Sequence, residues 1–268
     1  MSEQEKISSI AVCIPTASRE SHCTIGHTLQ SIAIQTYRDI TVYVRDEGKA
    51  EIFRHRSVRQ MWDLLSIKGI RTVYKRTRNR MGVANARWEL YSGVGREKYI
   101  LCLDDDMVLD ADTIMKLVQF IEEREEVGFV QGVKYDIDEG YYYWNDINLM
   151  NGDVLNSHSA VMQPKRIWFG DTALLLMRRN AFVECVDPNI LLRFSVDGLT
   201  GEDIALSLMI ANKYEGWGIP SAIGSHLSPE RPRWKWEPPS DLLQIETLRK
   251  VVRPEVLKAA LPHLAEYV

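Results

Sequence analysis

Three consecutive aspartates, Asp104, Asp105 and Asp106, directly follow the apolar run YILCL that begins at Tyr99. In extended backbone, residues two apart project to the same side, so Asp104 and Asp106 can converge while Asp105 faces elsewhere. Two converging carboxylates suit a hard divalent cation, because Mg2+ and Mn2+ take few protein ligands and fill the rest with water and phosphate oxygens. A solvated strand end is the plainer reading, yet three adjacent acids repel one another unless a cation or a donor compensates. A second acidic pair, Glu202 and Asp203, stands at the expected start of a helix. The positive helix end favours an ionised carboxylate, which is what a general base requires, although first-turn acids occur in many helices for that reason alone. His226, just after the last expected strand, could join two aspartates on a metal and tilt the preference toward Mn2+. The remaining histidines form no H-x-x-x-H or H-E-x-x-H, so a zinc site has no support.

Five cations, Arg71, Lys75, Arg76, Arg78 and Arg80, cluster ahead of Arg87. They could hold phosphate groups, and a solvated basic edge accounts for most of them equally simply. Trp234 and Trp236, interleaved with Arg231, Arg233 and Lys235, could close over a sugar or phosphate, or pack a linker onto the body. An apolar strand ending in acids also resembles a Walker B strand, but no G-x-x-x-x-G-K-[ST] accompanies it. D-x-D before Val108 resembles the haloacid dehalogenase phosphatases, whose motif belongs on a first strand rather than after three strand–helix units.

The elements that must position these residues read as a repeat. IAVCIP from Ile10, ITVYVRD from Ile40, IRTVY from Ile70 and YILCL alternate with helical stretches, the signature of a parallel sheet with crossover helices. Ligands of such sheets bind beyond the carboxyl ends of the strands. Three ends carry polar residues there: Pro15-Thr16-Ala17, Asp46-Glu47-Gly48 and the aspartate triad. From Gly128 to Lys165 the pattern is irregular and reads as loop or short strands around Tyr141–Trp144. TALLLM then predicts a strand, RRNAFVEC a short helix, GEDIALSLMIANKY a helix, and Trp217–Ile223 a last strand. A Pro/Trp-rich linker or lid, SPERPRWKWEPPS, precedes a closing helix through Leu243, Ile245, Leu248, Val251 and Val252.

Composition agrees with a folded domain. Of 268 residues, 45% are hydrophobic and 26% charged, and 33 basic against 37 acidic residues leave a net charge of −4, which excludes a broadly basic nucleic-acid coat. The four cysteines form no C-x-x-C pair and read as buried thiols of a reducing compartment. Neither a signal or transit peptide nor an apolar run of roughly 18 residues is visible in the sequence. A cytoplasmic protein with at most peripheral membrane contact is the expectation.

Taken in order, the motifs resemble the family 2 glycosyltransferases of GT-A fold. IAVCIPTASRE is similar to that family's first strand and loop, and SIAIQTYRDITVYVRDEG to its S-x-x-x-Q-T-Y-x-D-x-x-V-x-V-x-D-D-G stretch. NRMGVANAR resembles its N-x-G-x-x-x-A-R helix start, DDD its D-x-D, and TALLLMRRNAF its R-R-x-x-F strand. GED, with a histidine 23 positions after Asp203, resembles its base and late metal motif. The resemblance implies an α/β GT-A fold with a Rossmann-like, mostly parallel central sheet flanked by helices. Residues 1–227 would form that domain and 228–268 the linker or lid and a C-terminal helical extension. It implies an inverting transferase that moves a sugar from a nucleoside diphosphate sugar, UDP-linked before GDP-linked, to an acceptor hydroxyl. Pro15, Thr16, Ala17, Arg19, Asp46, Asn79, Arg87, Asp105 and Glu202 would line the donor site. Asp104 would meet the ribose or the metal, Asp106 and His226 would ligate Mn2+ or Mg2+, and Asp203 would be the base. Two departures stand out, Glu47 where the family has a second aspartate and Lys49 where it has serine. A metal-dependent phosphatase and a nucleotide-sugar-binding protein without turnover are the rivals; the acceptor and the oligomeric state are open.

Overall fold

The computed structural model describes residues 9–17, 24–77, 81–136, 141–143, 163–196, 201–227 and 246–260. In its first half the strand–helix alternation of the sequence is realised directly. β1 (Ile10–Thr16), β2 (Ile40–Asp46), β3 (Arg71–Arg76) and β4 (Tyr99–Leu103) form a parallel set in the order β3-β2-β1-β4. Both faces of β1 are buried, as a parallel strand covered by helices on each side requires. Ile10, Val12 and Ile14 meet Ile25, Leu29 and Ile32 of α1 (Ile25–Ala33), whereas Ala11 and Cys13 lie in the cluster of Ala84, Leu90 and Tyr91 from α3 (Val83–Ser92). β3 ends this run, and its exposed Arg71 and Lys75 place charge on a sheet edge, a common guard against edge pairing. Behind it α2 (Arg56–Ile67) contributes Trp62 to an edge-to-face trio with Phe53 and Tyr74, at centroid distances of 5.2 Å for Phe53–Trp62 and 4.6 Å for Phe53–Tyr74.

The second half mixes parallel and antiparallel pairing, with β10 parallel to β6. After β5 (Met107–Leu109) and α4 (Thr113–Glu122), the long β6 (Val127–Asp136) lies between β9 (Leu174–Arg178) and β10 (Glu215–His226). β9 runs antiparallel to both β4 and β6, and the short β7 (Tyr141–Tyr143) and β8 (Lys165–Ile167) add antiparallel pairs to β6 and β10. The last strand is longer than the sequence pattern suggested. Pro220, which has no N–H to give, falls inside a register shift between Ile219 and Ile223, so the ladder resumes beyond it. Helices α5 (Arg179–Cys185), α6 (Pro188–Val196) and α7 (Glu202–Ala211) cover the α3 face, and Val256 and Leu257 of α8 (Pro254–Ala260) join the same core.

The position of β5 fixes the shape of the sheet. It follows β4 after three residues, yet it pairs with β10, at the far end of the path β4-β9-β6-β10-β5. A sheet that links neighbours in sequence across four steps of its ladder must curl back on itself, and Asp104, Asp105 and Asp106 span the gap. Buried Gln35 anchors this crossing, donating to the carbonyls of Ser31 at 3.0 Å and Asp110 at 2.8 Å and accepting from Ile114 N–H at 3.1 Å. No helix among the described residues is long and apolar enough to cross a membrane.

Phe129 of β6 packs so closely on Gly216 of β10 that a Cβ there would overlap its ring. Phe129→Ala removes the largest side chain of this contact and is expected to lower unfolding stability by about 3–5 kcal/mol, read from urea denaturation.

Candidate active site

The three aspartates do not share a face. Residues 105 and 106 form a turn rather than extended strand, so the two-apart rule does not apply, and each carboxylate finds its own partner. Asp104 accepts from Arg87 at 2.8 Å, Asp105 accepts from the Thr16 hydroxyl, and Asp106 Oδ1 lies 3.3 Å from His226 Nε2. The backbone of the turn is pinned as well. Thr28 donates to the Asp105 carbonyl at 2.9 Å, and Leu227 N–H donates to that of Asp106 at 2.8 Å. Because β5 and β10 pair with His226 opposite Met107, strand register sets the Asp106–His226 contact. That pair, largely buried, offers one carboxylate and one imidazole, a set suited to Mn2+ or Mg2+ with open positions left for phosphate oxygens. Among the described residues no three acidic, histidine or cysteine side chains are grouped to hold a metal, and Asp104 is turned to Arg87. The donors present therefore fit a two-ligand site for a cation that shares its shell with a diphosphate.

At the carboxyl ends of β1 and β2, Pro15 and Thr16 close β1 with Ala17 just beyond it, and Thr16 accepts Glu47 N–H at 2.8 Å through its carbonyl. Asp46 is fully buried, accepting the N–H groups of Gly48 at 2.8 Å and Ile52 at 3.1 Å and the Tyr74 hydroxyl at 2.8 Å. Burial and the bond to Asp46 push the Tyr74 phenol well up, so it remains a donor. Glu47 reaches back to buried Arg45 at 3.0 Å, and Arg45 also meets Glu89, itself paired with Lys75 at 2.6 Å. This network accounts for one departure from the family pattern: Arg45 and Glu47, two apart at a strand end, are built to pair. Arg19, Asn79, Arg78, Arg80, Trp234 and Trp236 lie outside the described residues.

The third cluster is centred on Arg87. Its guanidinium donates to Asp104 and to Glu202, tying the end of β4 to the first turn of α7. Burial works against its charge, but the two carboxylates more than offset this and bind its proton tightly. Gly201, at φ 97°, turns the chain into α7 through a conformation that L side chains rarely adopt. Next along the helix, half-buried Asp203 accepts the N–H of Ile204 at 2.8 Å. The helix end was expected to keep this carboxylate ionised at neutral pH. Burial, reinforced by the charges of Glu202 and Asp171, instead pushes it up to about 8 against the pull of Arg87.

Two members of the cluster were not singled out from the sequence. Lys134 of β6, with no exposed surface, is ion-paired with Asp171, which also accepts Ala173 N–H at 2.8 Å. Burial alone would raise the Asp171 carboxyl, but Lys134 overrides it and brings the group down to about 2. The available signal was a lysine inside the apolar run VGFVQGVKYD, a position that requires a partner when buried.

Comparison with known proteins follows this geometry. The sequence profile described as Glycosyl transferase family 2 matches residues 11–186. No curated protein matches the chain. Among solved structures, the mannosyltransferase PcManGT from Pyrobaculum calidifontis in complex with GDP-Man and Mn2+ has a TM-score of 0.67 at 17% identity, over 97% of this chain and 70% of that one. GalNAc-T7 with UDP, GalNAc and Mn2+ gives 0.66 at 15%, over 98% of this chain and 51% of that one. TarS of S. aureus gives 0.64 at 12%, over 96% and 43%. The chain thus spans about half or less of the latter two. At these identities the likeness is one of fold, and it is the GT-A fold.

Removing Arg87 would leave Asp104 and Glu202 without their common cation. Arg87→Met is expected to cost about 3–5 kcal/mol of folding stability, measured by denaturant unfolding at neutral pH.

Proposed function

The chain belongs to glycosyl transferase family 2, and from that premise we propose that it transfers a sugar from a nucleoside diphosphate sugar to an acceptor hydroxyl with inversion at the anomeric carbon. One observation carries this reading: Arg87 brings the D-x-D segment and the Glu202–Asp203 turn into a single cluster, beside the Asp106–His226 pair. The donor is a UDP-sugar in first place and a GDP-sugar in second. Both nucleotides occur in the complexes of similar fold, PcManGT with GDP-Man and GalNAc-T7 with UDP. Pro15, Thr16 and Ala17 hold the nucleoside, with Asp46 shaping the loop beside it. Asp105 fixes Thr16, and Asp104 meets the ribose or joins the metal shell.

Asp106 and His226 would hold a divalent cation, Mn2+ or Mg2+, which when bound would supply Lewis-acid stabilisation of the charge on the leaving diphosphate. The chain's own part is to place the acceptor and to take up its proton. Asp203 accepts that proton as the hydroxyl oxygen attacks from the face opposite the diphosphate, so one displacement inverts the configuration. Glu202 and Arg87 hold the turn that carries Asp203. With its carboxyl pushed up to about 8, Asp203 is a stronger base than an ordinary aspartate, and its ionised fraction grows as pH rises through that value.

Thermal unfolding in the presence of UDP or GDP with Mn2+ tests the donor reading. An Mn2+-dependent rise in Tm that is lost in Asp106→Ala is expected; no rise with any nucleoside diphosphate overturns the reading. Asp203→Asn should keep that rise while transfer falls by about 10²–10⁴-fold, and undiminished transfer removes Asp203 as the base. In the native enzyme the transfer rate should increase with pH up to a limb near 8. The same shift has a stability counterpart. From pH about 4 upward the unfolded chain releases a proton that folded Asp203 retains, so its favourable contribution at low pH is lost as pH rises to about 8. The Tm of Asp203→Asn relative to the native protein should therefore climb between pH 5 and 8 and then level off.

A further inference from the structure

α2, with the residues at its two ends, carries charge that the fold does not use. In a chain of net charge −4, Arg54, Arg56, Arg59 and Lys68 are all exposed, and none has an acidic partner among the described residues. Arg59 is tethered only to the Phe53 carbonyl, at 2.9 Å. The neighbouring cations of β3 differ, since Arg71 is paired with Glu97 and Lys75 with Glu89, both at 2.6 Å. Nor do the arginines serve the helix itself. The first turn of α2 holds no acid, and Arg56 stands at the positive helix end, where a cation is disfavoured. Two aliphatic side chains share this side of the molecule. α1 and α2 lie side by side, so that a Cβ on Gly26, near the start of α1, would be 3.6 Å from Ser57 Oγ and 3.9 Å from Val58 Cγ2 at the start of α2. Both helices follow strands of the parallel set and run back toward its amino edge, which brings their last residues to the same end. There Ile67 is 81% exposed and Ile34, just past α1, is 54% exposed, with exposed Lys68 and Arg38 close by in the chain.

We propose that this face, the outer side of α2 with the ends of α1, docks on an anionic membrane surface, Arg54, Arg56, Arg59 and Lys68 meeting lipid headgroups while Ile67 and Ile34 enter the boundary between headgroups and acyl chains. Cations alone would suit any polyanion. Exposed aliphatic residues gain nothing from a nucleic acid, whereas a bilayer surface rewards both kinds of side chain at once. The rings of the region favour the same choice: Phe53, Trp62 and Tyr74 pack on one another instead of lying open for stacking on bases. Asp63 is the single acid on the helix, and the four cations outweigh it. The docking is peripheral, since no helix among the described residues is long and apolar enough to cross. It needs neither donor nor acceptor, so it stands apart from the transferase reading.

Flotation of the full chain with lipid vesicles tests this docking. Binding is expected to vesicles of equal parts phosphatidylcholine and phosphatidylglycerol, to weaken as salt is raised, and to be absent with phosphatidylcholine alone. Arg56→Gln/Arg59→Gln should lower the partition coefficient about 30-fold, at about 5-fold for each cation, and flatten its salt dependence. Ile67→Ser should lower the coefficient as well while leaving the salt dependence as it is. All three positions are exposed, so the Tm of each variant is expected to be no lower than that of the native protein, which separates loss of docking from loss of fold. No binding to the anionic vesicles, equal binding to both kinds of vesicle, or undiminished binding by Arg56→Gln/Arg59→Gln overturns the proposal. Vesicle binding indifferent to Ile67→Ser also overturns it and reassigns the face to a soluble polyanion, which retention on immobilised polyphosphate would then show.

Discussion

The buried guanidinium of Arg87 holds the site together. It is charged, almost fully enclosed, and stable there because two carboxylates from distant parts of the chain meet it. One of them ends the strand repeat of the first half, and the other opens the helix on which the second half builds its share of the site. A buried cation with two acidic partners is strongly directional, since either acid left alone would be a buried charge without compensation. This constraint gives α3 its role: the helix packs beneath β1 and β2 through Ala84, Leu90 and Tyr91, and so delivers Arg87 to the carboxyl ends of the strands.

Much of this was legible in the sequence, and the limits have physical causes. The parallel half could be read because strands covered on both faces appear as short unbroken apolar runs. The acidic ends of those runs could be read because ligands of such sheets gather there. The direction of each aspartate could not be read: alternation assumes extended backbone, and residues 105 and 106 turn. The Lys134–Asp171 pair was missed because β6 looks apolar and Lys134 is an isolated exception in it, whose partner lies 37 residues away. The proton affinity of Asp203 departs from that expectation because burial, which the tertiary fold imposes, outweighs the helix end, with the neighbouring Glu202 and then Asp171 adding to it.

The loop after β2 shows how a deviation from a family pattern can be absorbed. Glu47 is longer than aspartate by one methylene, and it uses that reach to pair with Arg45, which in turn engages Glu89 of α3. Asp46 meanwhile is held by two backbone N–H groups and by a tyrosine that an aromatic trio fixes in place. The loop after β2 is therefore shaped by interior bonds before any ligand arrives, which reduces the ordering cost that binding would otherwise carry.

The path of β5 has a consequence for how the molecule comes into being. Asp106 lies next to Met107 at the start of β5, whereas its imidazole neighbour His226 ends β10, 120 positions further along the chain. Closing so long a segment carries an entropic penalty that local helices and hairpins do not face, so contacts of this kind tend to be late in folding. A chain still emerging during synthesis exposes the aspartate turn well before the strand that completes it exists. The Asp106–His226 pair is thus a mark of completed folding: it exists once the last strand has docked, and a partly made chain presents the aspartate turn without its imidazole neighbour.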